Sequence, residues 1–287
     1  MKKALVAVVA VASFTLGGCG MVLGQKQAPA AVTTLVYTPA GWPEPLQAEV
    51  YQPQGEGPFP GMLLVHGGGW ERRSRQDMER LARYYVGLGY VVMNTSYRFA
   101  PEATFPAQVH DLQQAMHWLH RESERLRLDT ARIAAFGYSA GAHLVSLMAL
   151  AAGTGDDLDL PWGGGLTRPA AVIAGGSPMD LRKYPGGKLV PQFLGGRINE
   201  IPETFAAASP VTRVHPHAPP FLLFHGTRDT LVTIDHAEEF VAALAAENVP
   251  VTLERQAARG HILTFLTVGT ALPAADLFLH RHLAAAD

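Results

Sequence analysis

The sequence predicts an α/β fold with a mostly parallel sheet covered by helices on both faces. Two observations carry that expectation. Short apolar runs alternate with longer segments of helical spacing, and the runs are apolar at nearly every position rather than at every second one. A strand buried on both faces reads that way, and parallel sheets bury both faces. A third feature, a leading hairpin, adds antiparallel strands at one edge.

The elements follow in order. TTLVYTP and QAEVYQP read as two strands around Gly41-Trp42-Pro43. GMLLVHGGG is an apolar strand that ends in glycines. DMERLARYYVGLGY has helical spacing and Gly89 as its stop, and YVVMNTSYR returns to a strand. Pro106 opens FPAQVHDLQQAMHWLHRESERL, whose Val109, Leu112, Met116 and Leu119 share one face of a helix. RIAAFGYS is a strand and AGAHLVSLMALAA a buried helix. AAVIAGG, FLLFHGT and VTLERQAA are further strands, while IDHAEEFVAALAAEN and LPAADLFLHRHLA are helices. Two segments break the rhythm: a glycine-rich loop from Gly153 to Pro169, and a longer excursion from Pro178 to Pro210 placed to cover a site.

Composition narrows the function. Net charge is −2 and charged residues are 17% of the chain, below the roughly 25% of an average globular protein. No basic stripe marks a nucleic-acid surface, so a small, roughly neutral partner is expected. The start of the chain is different. Lys2 and Lys3 precede Ala4 to Leu16, an apolar stretch of signal-peptide length and too short to span a bilayer. It ends in Leu16-Gly17-Gly18-Cys19, which resembles the lipobox of bacterial lipoproteins. The resemblance implies a signal peptide over 1–18 and an acylated Cys19; a tether over 19–32 and the folded domain over 33–287 follow it. It implies a lipid anchor in the cell envelope, and Gly20 leans towards the outer membrane. Cys19 is the only cysteine, so no intramolecular disulfide forms.

In parallel α/β sheets the chemistry sits beyond the carboxyl ends of the strands, and the suspicious residues lie there. Ser139, in FGYSAGAHL, sits at a strand-to-helix turn between Gly137 and Gly141. Such a turn holds the hydroxyl above the sheet edge at a helix N-terminus. An N-cap is the ordinary role of a serine there, and a nucleophile needs a base within hydrogen-bond reach. HGGGW, His66 to Trp70, follows a strand. Its glycines let backbone N–H groups face a developing oxyanion. Gly68 and Gly69, with the amide of Ala140, are the candidate donors, and His66 braces the loop. No lysine or threonine follows at P-loop spacing.

Asp229 and His261 each follow a strand, giving the order Ser139, Asp229, His261. His261 is the candidate base and Asp229 its orienting acid, with Asp180 the rival acid. His143 lies one helical turn past the serine and is read as packing or site-lining. His117, His120, His280 and His282 are surface or packing residues. His215 and His217 lack a third metal ligand, and neither a metal nor an organic cofactor is required. Arg98, in SYRFAPE, braces its loop through carbonyls or a carboxylate, and Asp111 supports the helix that follows. Trp70, Trp162 and Phe193 are candidates to line a pocket.

Taken together, HGGGW, SYRFAPEATFPAQVHDLQQAMHWL, FGYSAGAHL, ASPVTRVHPHAPPFLLFHGTRD and RGH resemble the α/β-hydrolase superfamily. The resemblance is to its carboxylesterase branch with the HGGG motif, near bacterial esterases of acetylated or feruloylated plant polysaccharides. It runs from about Leu35 to His282, nearly the whole chain past the tether. It implies an eight-stranded sheet, Ser139 as nucleophile, Asp229 and His261 as its partners, and Gly68, Gly69 and Ala140 as oxyanion donors. The expected substrate is a short-chain or carbohydrate-linked ester. A peptidase on the same scaffold and a non-catalytic envelope protein are the alternatives. Tyr138 stands where relatives often carry an acid, and Ala142 where many carry glycine. Tyr138 therefore joins Trp70 as a substrate-binding candidate.

Overall fold

The computed structural model describes residues 28–184 and 186–284. Cys19 and the signal segment lie outside the described residues. All eight expected strands form: β1 (Ala31–Val36), β2 (Gln47–Gln52), β3 (Phe59–Val65), β4 (Val91–Thr95), β5 (Leu128–Tyr138), β6 (Ala171–Gly175), β7 (Phe221–Gly226) and β8 (Val251–Gln256). They make one sheet in the order β1-β2-β4-β3-β5-β6-β7-β8. The two leading strands pair antiparallel with each other, and β2 pairs antiparallel with β4. Every later pair is parallel. The sheet starts two residues before the expected domain boundary at 33. Gln52 at the far end of β2 pairs with Ala31, so the partner strand extends the ladder into the expected tether.

Alternation along β3 shows how both faces are filled. Leu63 and Val65 join one apolar cluster, while Met62 and Leu64 join the other. On the first face lie α2 (Ala107–Arg121), α4 (Ala140–Ala151) and α7 (Asp235–Ala246), after a short α3 (Ser123–Leu126) beyond α2. Val109, Leu112, Met116 and Leu119 of α2 are all fully buried there, as their spacing requires. The opposite face is covered by α1 (Glu79–Val86) and α9 (Leu272–His282) through Leu81, Tyr85, Phe278 and Leu279. Every residue of α4 is buried, because it crosses over the centre of the sheet beneath α2. Among the described residues no helix is long and apolar enough to cross a membrane.

Three short helices complete the chain: α5 (Leu189–Leu194), α6 (Pro202–Ala207) and α8 (His261–Leu266). The first two fall in the 178–210 excursion. The doubly wound order puts the carboxyl ends of β3, β5, β7 and β8 along one edge. Gly67–Trp70, Ser139, Asp229 and His261 all emerge there.

Candidate active site

Tyr138 ends β5 and Ala140 begins α4, which leaves Ser139 alone in the turn at φ 54° and ψ −122°. A residue with a Cβ rarely adopts that conformation, and its neighbours must hold it there. The Ser139 amide donates to the Gly175 carbonyl at 2.7 Å. Gly141 supplies the space: a Cβ on it would lie 2.2 Å from the Val65 carbonyl oxygen. The turn therefore lifts the Ser139 hydroxyl clear of the sheet and aims it at the open edge.

His261 is the first residue of α8 and Asp229 sits in the turn after β7. The three side chains meet. His261 Nε2 lies 2.9 Å from Ser139 Oγ, and His261 Nδ1 lies 2.6 Å from Asp229 Oδ2. Asp229 Oδ1 accepts the amides of Leu231 at 3.0 Å and Val232 at 2.9 Å. A carboxylate is acceptor only, so Nδ1 carries the ring proton and Nε2 offers its lone pair to the serine hydroxyl. Burial pushes the Asp229 carboxyl up, but the bonds from His261 and the Val232 and Leu231 amides outweigh it and hold the group below the usual carboxylate range. It is ionised at neutral pH. Asp180 is engaged elsewhere. Its oxygens take the Arg182 guanidinium at 2.8 Å, and its amide donates to His236 Nδ1 at 3.2 Å.

The glycine loop faces the same hydroxyl. Gly68 has φ 119°, and a Cβ there would lie 2.0 Å from the Arg72 carbonyl oxygen. Only glycine makes this turn. Among the described residues, the amides of Gly68, Gly69 and Ala140 donate to no backbone carbonyl. The Ala140 amide also opens α4, where the helix dipole favours negative charge. His66 is buried and stacks on Tyr97 with ring centroids 4.6 Å apart, and Tyr97 Oη donates to the His66 carbonyl at 3.1 Å. His66 thus lies beneath the loop.

The remaining candidates divide. Trp70 lines the cavity and is nearly buried, stacked on Phe193 at 4.5 Å. Its Nε1 donates to His143 Nδ1 at 3.3 Å, and His143 Nε2–H donates to the Ala208 carbonyl at 2.7 Å. His143 therefore orients Trp70. Phe193 lies wholly buried under it rather than on the cavity. Trp162 corrects the sequence expectation: it packs edge-on against Trp42 and lines a separate surface hollow with His117 and His120. The glycine-rich loop carries it to the far side of α2. Tyr138 borders the cavity, but its hydroxyl is already spent on the His261 carbonyl at 2.5 Å. It ties the element bearing the serine to the element bearing the histidine. Arg98 binds Asp111 through two oxygens, at 2.8 and 3.0 Å, and the Ala107 carbonyl at 3.0 Å.

The cavity over Ser139 has a volume of about 930 Å³. Part of the 178–210 excursion walls it, through Tyr184, Lys188 and Leu189. Leu231, Ile262, Phe265 and Leu266 wall it elsewhere. Neither group was singled out from sequence. The second sits one to five residues from Asp229 or His261, and that proximity was the available signal.

A doubly wound eight-stranded sheet with a serine elbow at its carboxyl edge defines the α/β-hydrolase fold. The chain belongs to the BD-FAE family, whose model matches residues 48–244. It is 34% identical over 198 residues to esterase LipC of Mycobacterium tuberculosis, covering 66% of this chain and 49% of that protein. Esterase LipQ of the same organism is 31% identical over 196 residues, covering 64% and 45%. The chain thus spans about half the length of these relatives. A thermophilic esterase of the planctomycete Thermogutta terrifontis superposes with a TM-score of 0.74 at 23% identity, covering 89% of this chain and 94% of that one. A truncated carbohydrate esterase from gut microbiota superposes at 0.77 and 19% identity, covering 90% and 100%. At these identities the structural likeness bears on the fold alone.

Proposed function

We propose that this protein hydrolyses carboxylic esters through an acyl-enzyme on Ser139. One observation carries the reading: the continuous chain from Asp229 through His261 to Ser139 Oγ, at 2.6 and 2.9 Å, beside amides in the same cavity that donate to no backbone carbonyl among the described residues. In this reading His261 Nε2 takes the serine proton as Oγ attacks the carbonyl carbon. The amides of Gly68, Gly69 and Ala140 receive the oxyanion. Asp229 holds the imidazole tautomer and stabilises its cation. Water then repeats the sequence and releases the acid. LipC and LipQ of M. tuberculosis are both named as esterases, which supports the same class. The resemblance of the sequence motifs points to short-chain or aromatic acyl groups.

The test is the Ser139→Ala variant on p-nitrophenyl acetate. Turnover should fall by about 10⁴-fold or more, as it does when a triad nucleophile is lost. Hydrolysis retained at the wild-type rate would overturn the mechanism. We also propose, on the strength of the LGGC segment, that Cys19 is acylated and holds the enzyme in the cell envelope.

A further inference from the structure

The cavity over Ser139 has two chemically different walls. Arg72, Arg73 and Lys188 line it from the glycine loop and the excursion. Leu231, Ile262, Phe265 and Leu266 line it from the elements that carry Asp229 and His261. Leu231 lies two residues past Asp229, and its amide is held by the Asp229 carboxylate. Ile262, Phe265 and Leu266 belong to α8, which starts at His261. Phe265 packs on Tyr138 with centroids 4.9 Å apart, so this wall is fixed to the serine's own strand.

The second wall is apolar and open to water. Leu231, Ile262 and Leu266 are 55%, 59% and 63% exposed, and Leu263 beside them is 49% exposed. These are four of the eleven large apolar side chains that are exposed among the described residues. Scattered apolar residues on a surface are ordinary, whereas a cluster at a cavity mouth marks a binding surface. It is continuous with the cavity that holds Ser139, so its occupant is a part of the substrate.

Proton transfer decides which part, granted the roles of Ser139 and His261 proposed above. The Oγ–C bond forms, the bond from the carbonyl carbon to the alcohol oxygen breaks, and the serine proton leaves with the alcohol. His261 Nε2 must reach that oxygen within hydrogen-bond distance to deliver it. The alcohol half therefore lies on the His261 side, against α8 and Leu231. A sugar placed there would meet four apolar side chains that offer its hydroxyls no hydrogen bond in exchange for the water they displace, whereas an alkyl or aryl group would cover that surface.

We propose that the α8 wall is the alcohol subsite, and that the favoured substrates are esters of apolar alcohols, alkyl or aryl, rather than of sugar hydroxyls. This departs from the carbohydrate-linked ester that the sequence resemblance implies. The same acyl group on different alcohols tests it. Ethyl, butyl and hexyl acetate and acetylated xylo-oligosaccharides are compared by pH-stat, with Ser139→Ala alongside. Each added methylene that covers the wall should raise kcat/KM by up to about fourfold. The hexyl-to-ethyl ratio should thus reach about tenfold or more, with the acetylated sugar below hexyl acetate. In the double variant Ile262→Ser/Leu266→Ser that ratio should collapse towards one. A flat ratio in the wild type, a ratio unchanged in the double variant, or faster turnover of the acetylated sugar than of hexyl acetate would overturn the subsite. Silence of the wild type on every ester would instead overturn the esterase reading itself.

Discussion

At the scale of the residue, two aspartates compete for one role. Asp180 and Asp229 both follow strands of the parallel sheet, β6 and β7, and the chain order permits either. Their partners separate them. Asp180 is held by Arg182, and Ser209 donates to it at a longer 3.4 Å. Asp229 spends one oxygen on two amides and gives the other to His261. Its carboxylate is fixed in place and charged, which is what a tautomer-setting group needs. Asp229→Asn should keep the fold and lower kcat by about 10⁴-fold, since the amide no longer enforces the productive imidazole. Asp180→Asn should change kcat by less than about tenfold. Steady-state kinetics of the two variants checks this, and the reverse ranking would reassign the acid. Tyr138 shows what residue-level reading of sequence lacks. Its type was visible, but its hydroxyl contact lies 123 positions away in the chain.

At the scale of the element, the packed segments carry a pH liability. Three buried histidines sit where elements join: His66 after β3, His143 in α4 and His236 in α7. Burial lowers each from the usual 6.5 to about 4. The carbonyls beside His66 and His143 oppose the shift, and the Lys183 charge adds to it at His236. The sign follows from proton counts. Between pH 6.5 and about 4 the unfolded chain binds these protons and the native chain does not. Stability is therefore full above 6.5 and is lost as pH falls towards 4. Each site is worth on the order of 3 kcal/mol across that window. Scanning calorimetry from pH 7.5 to 4.5 should show Tm dropping steeply below 6.5, and a flat Tm down to pH 5 would contradict it. The elements themselves were unevenly legible. Long strands and helices announced themselves by period, whereas α5, α6 and α8 span six residues each. That is too short for an apolar face to repeat.

At the scale of the whole molecule, the sheet orders everything else. Six parallel strands set their loops side by side at one edge, so residues from 67 to 266 share a cavity. The proposed anchor belongs to this scale too. When residues 1–287 are expressed in a bacterial host, the chain should fractionate with membranes and the peptide that begins at Cys19 should carry the added acyl mass. The Cys19→Ala variant should do neither. Membrane fractionation with unchanged mass in that variant would remove Cys19 from the account.

By itself, the sequence determined the class of fold, the strands and long helices, and the serine turn, the glycine loop and the histidine that reach the site. Each of those depends on local period or on residue type next to a strand end, and both are written along the chain. Only the tertiary structure decided which aspartate faces His261, that Trp162 lies away from the cavity while Trp70 borders it, and that α8 turns apolar side chains to the mouth. These depend on which segments the sheet brings side by side, Asp229 with His261 across 32 positions and Ser139 with His261 across 122, and no local pattern encodes those pairings.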